Sequence, residues 1–363
     1  MLTKFDEFTC HQVVSTFDHP ESSDRAWTEK LWCNIHDSKG GLVLATGFGI
    51  YPNRNVMDGF GCVNVGNRTQ YNFRASRELR PAIDEIKVGP LSYDVIEPYK
   101  KIRIALGENK YDLGFEIEFL GKFHPSEEEP QYGRSYGRIY VNTCRYAQLG
   151  RARGWVKAGG KKFDISEDTF YGQRDHSWGI RMGVGAAEQG VQSLDIDNFL
   201  GMMINWLTFQ IGDTGFCLYL IEKADGKIQR LTGHVTRPMD GERVMVGITG
   251  VEHRYKYYDG SMRMQSGEVT IKCEDGSVYD LSMKEITTMY LRGGNYIGYK
   301  DVRHGMWMGR YWEDGEAWNI EDDRIKNEMH GLDDTVVEVR MGKQIGYGIV
   351  ENLILPPFPK YGY

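Results

Sequence analysis

The sequence has no run of about 20 apolar residues such as a membrane span needs, no block of Lys and Arg, no Cys-x-x-Cys pair and little helical periodicity. Each absence removes a class of protein. Without the apolar run no integral membrane segment is expected. Met1 to Cys10 carries Lys4, Asp6 and Glu7 and lacks the apolar centre of a secretion signal, so a cytoplasmic location is the default. A formal charge of −7 without a basic stripe argues against nucleic acid as a partner. The six cysteines, Cys10, Cys33, Cys62, Cys144, Cys217 and Cys273, are scattered through 363 residues. A chain of that length builds its core without disulfides, so they read as free, mostly buried thiols. His234, His253, His304 and His330 are far apart, no His-x-His or His-Glu-x-x-His spacing occurs, and Asp195-Ile-Asp197-Asn198 is too short for a calcium loop. No metal is therefore expected. Gly183-Val-Gly185 lacks the third glycine and the βαβ setting of a dinucleotide site and reads as a flexible connection.

Against these absences stand 22 Tyr, 15 Phe, 8 Trp and 44 Gly. Aromatic side chains suit pleated surfaces and glycine supplies turns and bulges, so the composition leans toward sheet and toward an apolar pocket. Asp-Gly pairs, a preferred centre for tight hairpins, occur at 58–59, 225–226, 240–241, 259–260, 275–276 and 314–315. Around the fifth, Val269 to Cys273 and Val278 to Met283 alternate apolar and polar residues with period two, which predicts a hairpin. The same alternation runs through Leu113, Phe115, Ile117 and Phe119, and through Val337, Val339 and Met341. Helical signals are limited to Arg74–Ile86, broken by Pro81, and to the stretch near Glu321–Glu328. Antiparallel strands with so little helix to cover them close into barrels or sandwiches. The length exceeds a usual single core of roughly 100–200 residues, so two β-domains are expected, 1–183 and 184–363. The crossover falls near Gly183 to Gly190, and Ser126-Glu127-Glu128-Glu129-Pro130 reads as a surface loop.

The segment Gly172-Gln173-Arg174-Asp175-His176-Ser177-Trp178-Gly179-Ile180-Arg181 gathers two cations, a carboxylate, an imidazole and an indole. In an extended chain Arg174, His176 and Trp178 share one face, while Asp175 and Ser177 take the other. Imidazole moves protons near neutral pH, and an indole stabilises a nearby positive charge, a pairing suited to acid-initiated alkene chemistry. A structural hydrogen bond is an equally good account of His176, and packing is the commoner one for Trp178. Asp175 is expected to pair with Arg174 or Arg181 unless a bulge turns it to the other face. Ser177 and His176, as strand neighbours, point apart and make a poor nucleophile pair.

Other candidates are weaker. Asn205 and Trp206 could orient and line a substrate, though ordinary strand roles fit better. His304, Trp307 and Tyr311 belong to a second aromatic and basic cluster, in which period two would align His304 with Met306, Met308 and Arg310 along a Met-rich wall. Glu351 stands in an apolar strand, where burial would keep it protonated as a general acid; a salt bridge to Arg310 competes.

The Gly-Gln-Arg-Asp-His-Ser-Trp-Gly-x-Arg string from Gly172 to Arg181 resembles that of the AttH-like and carotenoid 1,2-hydratase (hydroxyneurosporene synthase) superfamily. Weaker matches are Trp27-Thr28-Glu29, Tyr51-Pro52-Asn53 and His304-Gly305-Met306-Trp307-Met308-Gly309. The resemblance implies an all-β fold of two lipocalin-like domains. It also implies hydration, dehydration, cyclisation or isomerisation of a large apolar terpenoid, steroid or polyketide-like molecule without a redox cofactor. His176 and Trp178 match the superfamily's His-x-Trp pair. The Tyr and Asp that accompany that pair have no clear counterpart in Gln189–Phe209, where Asp195 and Asp197 lack the pattern. The resemblance thus points to a cofactor-independent lyase or isomerase working between the domains, with His176 and either Asp175 or Glu351 moving the proton and Arg174, Arg181, Asn205, Trp206, His304, Trp307 and Tyr311 around the substrate. A non-catalytic carrier of an apolar small molecule would use the same pocket, and an interaction or scaffolding role ranks last. Self-association into a homo-oligomer stays open.

Overall fold

The computed structural model describes residues 1–194, 199–239 and 242–363. The Asp195–Asn198 stretch and the Asp240-Gly241 pair lie outside the described residues. Among those described, no helix is long and apolar enough to cross a membrane.

The first part of the chain forms β1 (Trp27–Asp37), β2 (Leu42–Tyr51), β3 (Val56–Val65), β4 (Thr69–Glu78), β5 (Lys87–Val88), β6 (Leu91–Glu97), β7 (Lys101–Leu106), β8 (Leu113–Gly121), β9 (Ser126–Ser135), β10 (Arg138–Ala158), β11 (Lys161–Ile165) and β12 (Phe170–Ile180). The remainder forms β13 (Met202–Ile211), β14 (Thr214–Lys223), β15 (Ile228–Met239), β16 (Glu242–Tyr257), β17 (Met264–Cys273), β18 (Val278–Tyr290), β19 (Tyr311–Asn319), the short helix α1 (Asp323–Met329), β20 (Asp333–Met341) and β21 (Gln344–Leu355). Eight of these, β13 to β18 with β20 and β21, close into a barrel. The others make one curled sheet in the order β19-β4-β3-β2-β1-β12-β10-β8-β7-β6-β5, with β9 and β11 added along the long strand β10. The molecule is thus two packed all-β units, as the sequence led one to expect. The boundary near 183 falls between β12 and β13, but β19 crosses back and pairs with β4 at the edge of the first sheet, Tyr311 opposite Arg77 and Asn319 opposite Thr69.

Period-two patterning decides which residues meet. The concave side of the first sheet buries Leu31, Cys33, Phe48, Phe73, Phe115, Ile117 and Phe119. The barrel interior buries Leu207, Phe209, Phe216, Ile271 and Val337, stopped at one end by Phe358 near the C-terminus. A third layer joins the convex face of the sheet to the outside of the barrel through Trp32, Phe60, Cys62, Ala147, Leu149, Trp206, Val336 and Ile349. Cys33, Cys62, Cys217 and Cys273 are buried thiols.

The hairpin at Asp275-Gly276, the alternations in β8 and β20, and the helix near residue 325 appear where the periodicity places them. Other expectations do not survive. Arg74–Ile86 begins as β4 and is nowhere helical, because Phe73 and Ala75 belong to the sheet's apolar face. Ser126–Pro130 is β9, not a loop, since Ser126 and Glu128 are buried between the two units. Asp58-Gly59 and Asp314-Gly315 sit inside strands. Gly59 is there because a Cβ would lie 2.9 Å from Leu91, and Gly315 because one would meet the backbone oxygen of Asn72 at 2.5 Å.

Candidate functional site

β12 lies between β1 and β10, with His176 opposite Leu31 on one side and Tyr146 on the other. Period two therefore splits the Gly172–Arg181 segment between two compartments. Arg174, His176 and Trp178 face the concave side of the sheet with Glu29 and Leu31. Asp175 and Ser177 face the barrel with Lys30 and Trp32.

On the concave side, these three residues reach a pocket of about 860 Å³. Its walls are chiefly apolar: Trp27, Leu31, Ile50, Tyr93 and Ile102 from the sheet, Ile86 from the stretch just before β5, and Phe5, Val13 and Phe17 from the N-terminal segment. Polar groups converge at one place. Nε2 of His176 is 2.8 Å from Glu29 Oε1, and Nδ1 is 3.3 Å from the Tyr146 hydroxyl. Ionised Glu29 can only accept, so Nε2 carries the hydrogen and Nδ1 of the neutral ring accepts from Tyr146. Arg174 donates to the same hydroxyl at 3.2 Å and is itself held by Gln148 Oε1 at 2.6 and 2.9 Å. Burial raises the Tyr146 phenol above its ordinary value, with Arg174 pulling it back. Trp178 stands edge-on to His176 at 5.3 Å and is 39% exposed, so it forms part of the rim rather than packing in the core. Glu29, His176, Tyr146 and Arg174 thus make one continuous hydrogen-bonded chain at the edge of an apolar space.

The face toward the barrel is a different environment. Asp175 comes within 4.0 Å of Arg145, which also pairs with Glu128 at 2.6 Å. Its expected partners do not fill that role: Arg174 is on the opposite face, and Arg181 donates to Ser177 Oγ at 2.5 Å. Burial raises the Asp175 carboxyl, while the charges of Arg145 and Arg181 oppose that rise. Arg145, Ser177, Arg181, Tyr219, Ile204 and Leu353 line a cleft of about 640 Å³ between the units. Glu351 belongs to this belt and is directed at Asp334, not at Arg310; burial pushes it up to about 7, and the neighbouring carboxyl of Asp334 is raised well above its ordinary value. Burial is the chief cause in both, and the charge of Glu351 adds to the rise at Asp334. Asp334 Oδ2 also accepts from Asn34 at 2.7 Å.

Of the remaining candidates, Trp206 is in the layer between the units, but Asn205 points the other way, into the barrel, where it accepts from Asn352. His304 is on an irregular segment, not a strand, so no Met-rich wall forms; its ring lies 4.8 Å from Tyr296 and 3.5 Å from Asp58. Trp307 is exposed, and the exposed Tyr311 donates to Glu313 at 2.6 Å on the far edge of the sheet. The structure therefore separates His176 and Trp178 from Asp175 and Glu351.

Several participants escaped the sequence reading. Glu29 was visible only as part of a short match, and nothing marked Tyr146 or Lys30; pairing with β12 gives them meaning. The string Gly133-Arg134-Ser135-Tyr136-Gly137 fits Gly-x-Ser-x-Gly, yet it turns between the antiparallel strands β9 and β10 instead of leading from strand to helix, so it is no nucleophile elbow.

The model of a family of unknown function, DUF8625, matches residues 2–363. No curated protein matches the chain. Among solved structures, a Nitrosomonas europaea protein provisionally called AttH aligns over 91% of this chain and 93% of its own at 10% identity, with a TM-score of 0.55. That likeness shows a shared fold and agrees with the resemblance carried by Gly172–Arg181. Kievitone hydratase from Nectria haematococca (10% identity, 94% and 93% covered, TM-score 0.41) and CghA bound to Sch210972 (8% identity, 91% and 89% covered, TM-score 0.45) also align, at a level that carries no functional argument.

Proposed function

The chain belongs to the DUF8625 family, whose function is unknown, and we propose that it is a proton-transferring lyase or isomerase acting on an apolar small molecule held in the concave pocket of its first sheet. One observation carries the reading: the Glu29–His176–Tyr146 chain opens onto a largely apolar space of about 860 Å³, a size that fits a drug-sized ligand. An imidazole held between a carboxylate and a phenol can take up a proton at one nitrogen while the other stays fixed. Glu29 favours the imidazolium once it forms, and the Tyr146 hydroxyl, held by Arg174, passes the proton between ring and ligand. Protonation of an alkene carbon leaves a cation, which the indole of Trp178 stabilises. The cation then either gains water, giving an alcohol and returning a proton to His176, or loses a neighbouring proton, giving a rearranged alkene. The reverse sequence dehydrates an alcohol. A terpenoid, steroid or polyketide-like skeleton suits the apolar walls, and the residues named need no redox partner for these steps.

The test is incubation of the full chain with a panel of apolar alkenes and alcohols in deuterated water. Ligand-dependent deuterium uptake that disappears in His176→Ala, with binding retained, is the expected result. Unchanged uptake in that variant overturns the proposal. Binding without turnover by the unaltered chain across the panel supports a carrier instead.

A further inference from the structure

The N-terminal segment brings to the concave pocket a second set of hydrogen-bonded groups, separate from the His176 chain. Ser15 and His19 both line that pocket, on a stretch that is neither strand nor helix. The Ser15 Oγ lies 2.6 Å from Nε2 of His19, and Nδ1 of the same ring lies 2.5 Å from Asp18 Oδ1. The Met1 amine first, then His19 and Thr16, hold the Asp18 carboxyl well below its ordinary value, so it is ionised and can only accept. Nδ1 therefore carries the hydrogen, and Nε2 of the neutral ring accepts from the Ser15 hydroxyl. Hydroxyl, imidazole and carboxylate thus stand in the order, and join through the atoms, by which a serine is made nucleophilic.

The set is tied down. Thr16 donates to Asp18 Oδ1 at 2.8 Å, Arg80 donates to the Asp18 backbone oxygen, and the Phe17 N–H donates to Asp6 Oδ1 at 3.0 Å. Asp18 is buried, Ser15 is half-buried and the His19 side chain is 51% exposed. The carboxylate is therefore shielded, while the hydroxyl and imidazole are open to ligand and water. The backbone N–H of Thr16, directly after Ser15, has no acceptor among the described residues. Hydrolases use the N–H at that position to hold an oxyanion.

We propose that Ser15 is the nucleophile of a serine esterase site, with His19 as general base and Asp18 orienting it, acting on an ester whose apolar acyl part lies in the concave pocket. This activity is additional to the proton relay, since the bond broken is an acyl C–O bond. Ser15 Oγ adds to the ester carbonyl carbon as its proton passes to Nε2 of His19, and the carbonyl oxygen becomes an oxyanion facing the Thr16 N–H. Collapse expels the alcohol oxygen, which takes the proton from Nε2 and leaves an acyl group on Ser15. Water then adds to the acyl carbon, giving its proton to Nε2, and Ser15 Oγ departs and regains it. Ester plus water becomes acid plus alcohol, and no oxidant or reductant enters. Leu31, Ile50, Tyr93 and Ile102 supply apolar walls for the acyl chain.

Covalent capture tests the proposal. The full chain is treated with an alkyl fluorophosphonate, which phosphonylates activated serines, and adducts are located by peptide mapping. One adduct, on Ser15, is expected, forming faster at pH 8 than at pH 5 because only a neutral imidazole takes the hydroxyl proton. His19→Gln should slow its formation roughly a hundredfold or more, as loss of a general base does, and Asp18→Asn should slow it as well. p-Nitrophenyl octanoate should be hydrolysed with kcat/KM roughly tenfold or more above that of the acetate, because its longer chain buries more apolar surface. Mapping of the unaltered chain decides the matter even if a variant does not fold. Capture requires no turnover at His176, so its outcome is independent of the deuterium test. No adduct on Ser15, or one that forms no faster than on other serines, overturns the proposal, and so does equal hydrolysis of octanoate and acetate.

Discussion

Among the described residues a Glu–His–Tyr chain occurs twice, once in each unit, and the two settings are opposite. In the sheet, His176 joins Glu29 and Tyr146 with its side chain 24% exposed, beside an open pocket. In the barrel, His253 joins Glu222 and the hydroxyl of Tyr361, both at 2.6 Å, with its side chain 1% exposed and Lys360 3.2 Å from Glu222. Closure explains the contrast. The barrel has no free edge, its interior is filled with side chains, and its His253 ties the C-terminal residues to the wall. The sheet curls without closing, and the space left over is where His176 can meet a ligand. The same three side-chain types are a fastening in one place and a candidate proton relay in the other, so residue identity alone does not declare function.

That contrast can be broken experimentally. The largest effect is expected for His176→Ala, which should lower turnover of the apolar ligand by roughly a hundredfold or more, as loss of an acid–base group does, with little change in the thermal midpoint. His253→Ala should do the reverse. Removing one partner of a buried pair costs about 3 kcal/mol, read by urea unfolding, with turnover per folded molecule unchanged. If both variants behave alike, the distinction is lost. Glu29→Gln should be milder, a loss of roughly tenfold in turnover accompanied by a displaced pH–rate profile, because Glu29 acts through His176.

Proton linkage gives a smaller, signed test. Burial, the largest single influence, would raise Glu222, but the hydrogen bonds and charges of His253 and Lys360 together outweigh it, so the folded carboxyl lies below its usual 4.5. Its contribution to stability is present above that value and is lost as pH falls through the lower folded pKa. Glu222→Gln should therefore flatten the acid side of the stability curve. Glu351 runs the other way. Raised from 4.5 to about 7, it favours the folded state less and less as pH climbs across that interval, so Glu351→Gln should flatten the neutral side. Thermal midpoints from pH 3 to 8 check both.

Much of the fold was legible because alternation along a strand is a local property: β8, β17, β18 and β20 can be read directly from their residues. The split of the Gly172–Arg181 segment was legible for the same reason, since parity alone places His176 with Trp178 and away from Asp175. What could not be read was pairing. Glu29 and Tyr146 reach His176 from 147 and 30 residues away, and no spacing rule connects them. A salt bridge to Arg310 was the expectation set against a general-acid role for Glu351, yet the register of β20 with β21 sends Glu351 to Asp334. His304 misled through its apparent period, which exists only if the segment is a strand.

The return of β19 to the first sheet reaches beyond architecture into how the chain folds. Arg74, buried on β4, takes its carboxylates from Asp314 and Glu316, some 240 residues later. An N-terminal unit emerging first from synthesis holds an unpaired strand edge and a cation without counter-charge until nearly all of the chain exists. Pairing over so long a separation is slow, and an open edge invites other chains. β19 thus completes the first sheet from late in the sequence, and the sheet's edge is expected to close only once that strand has been made.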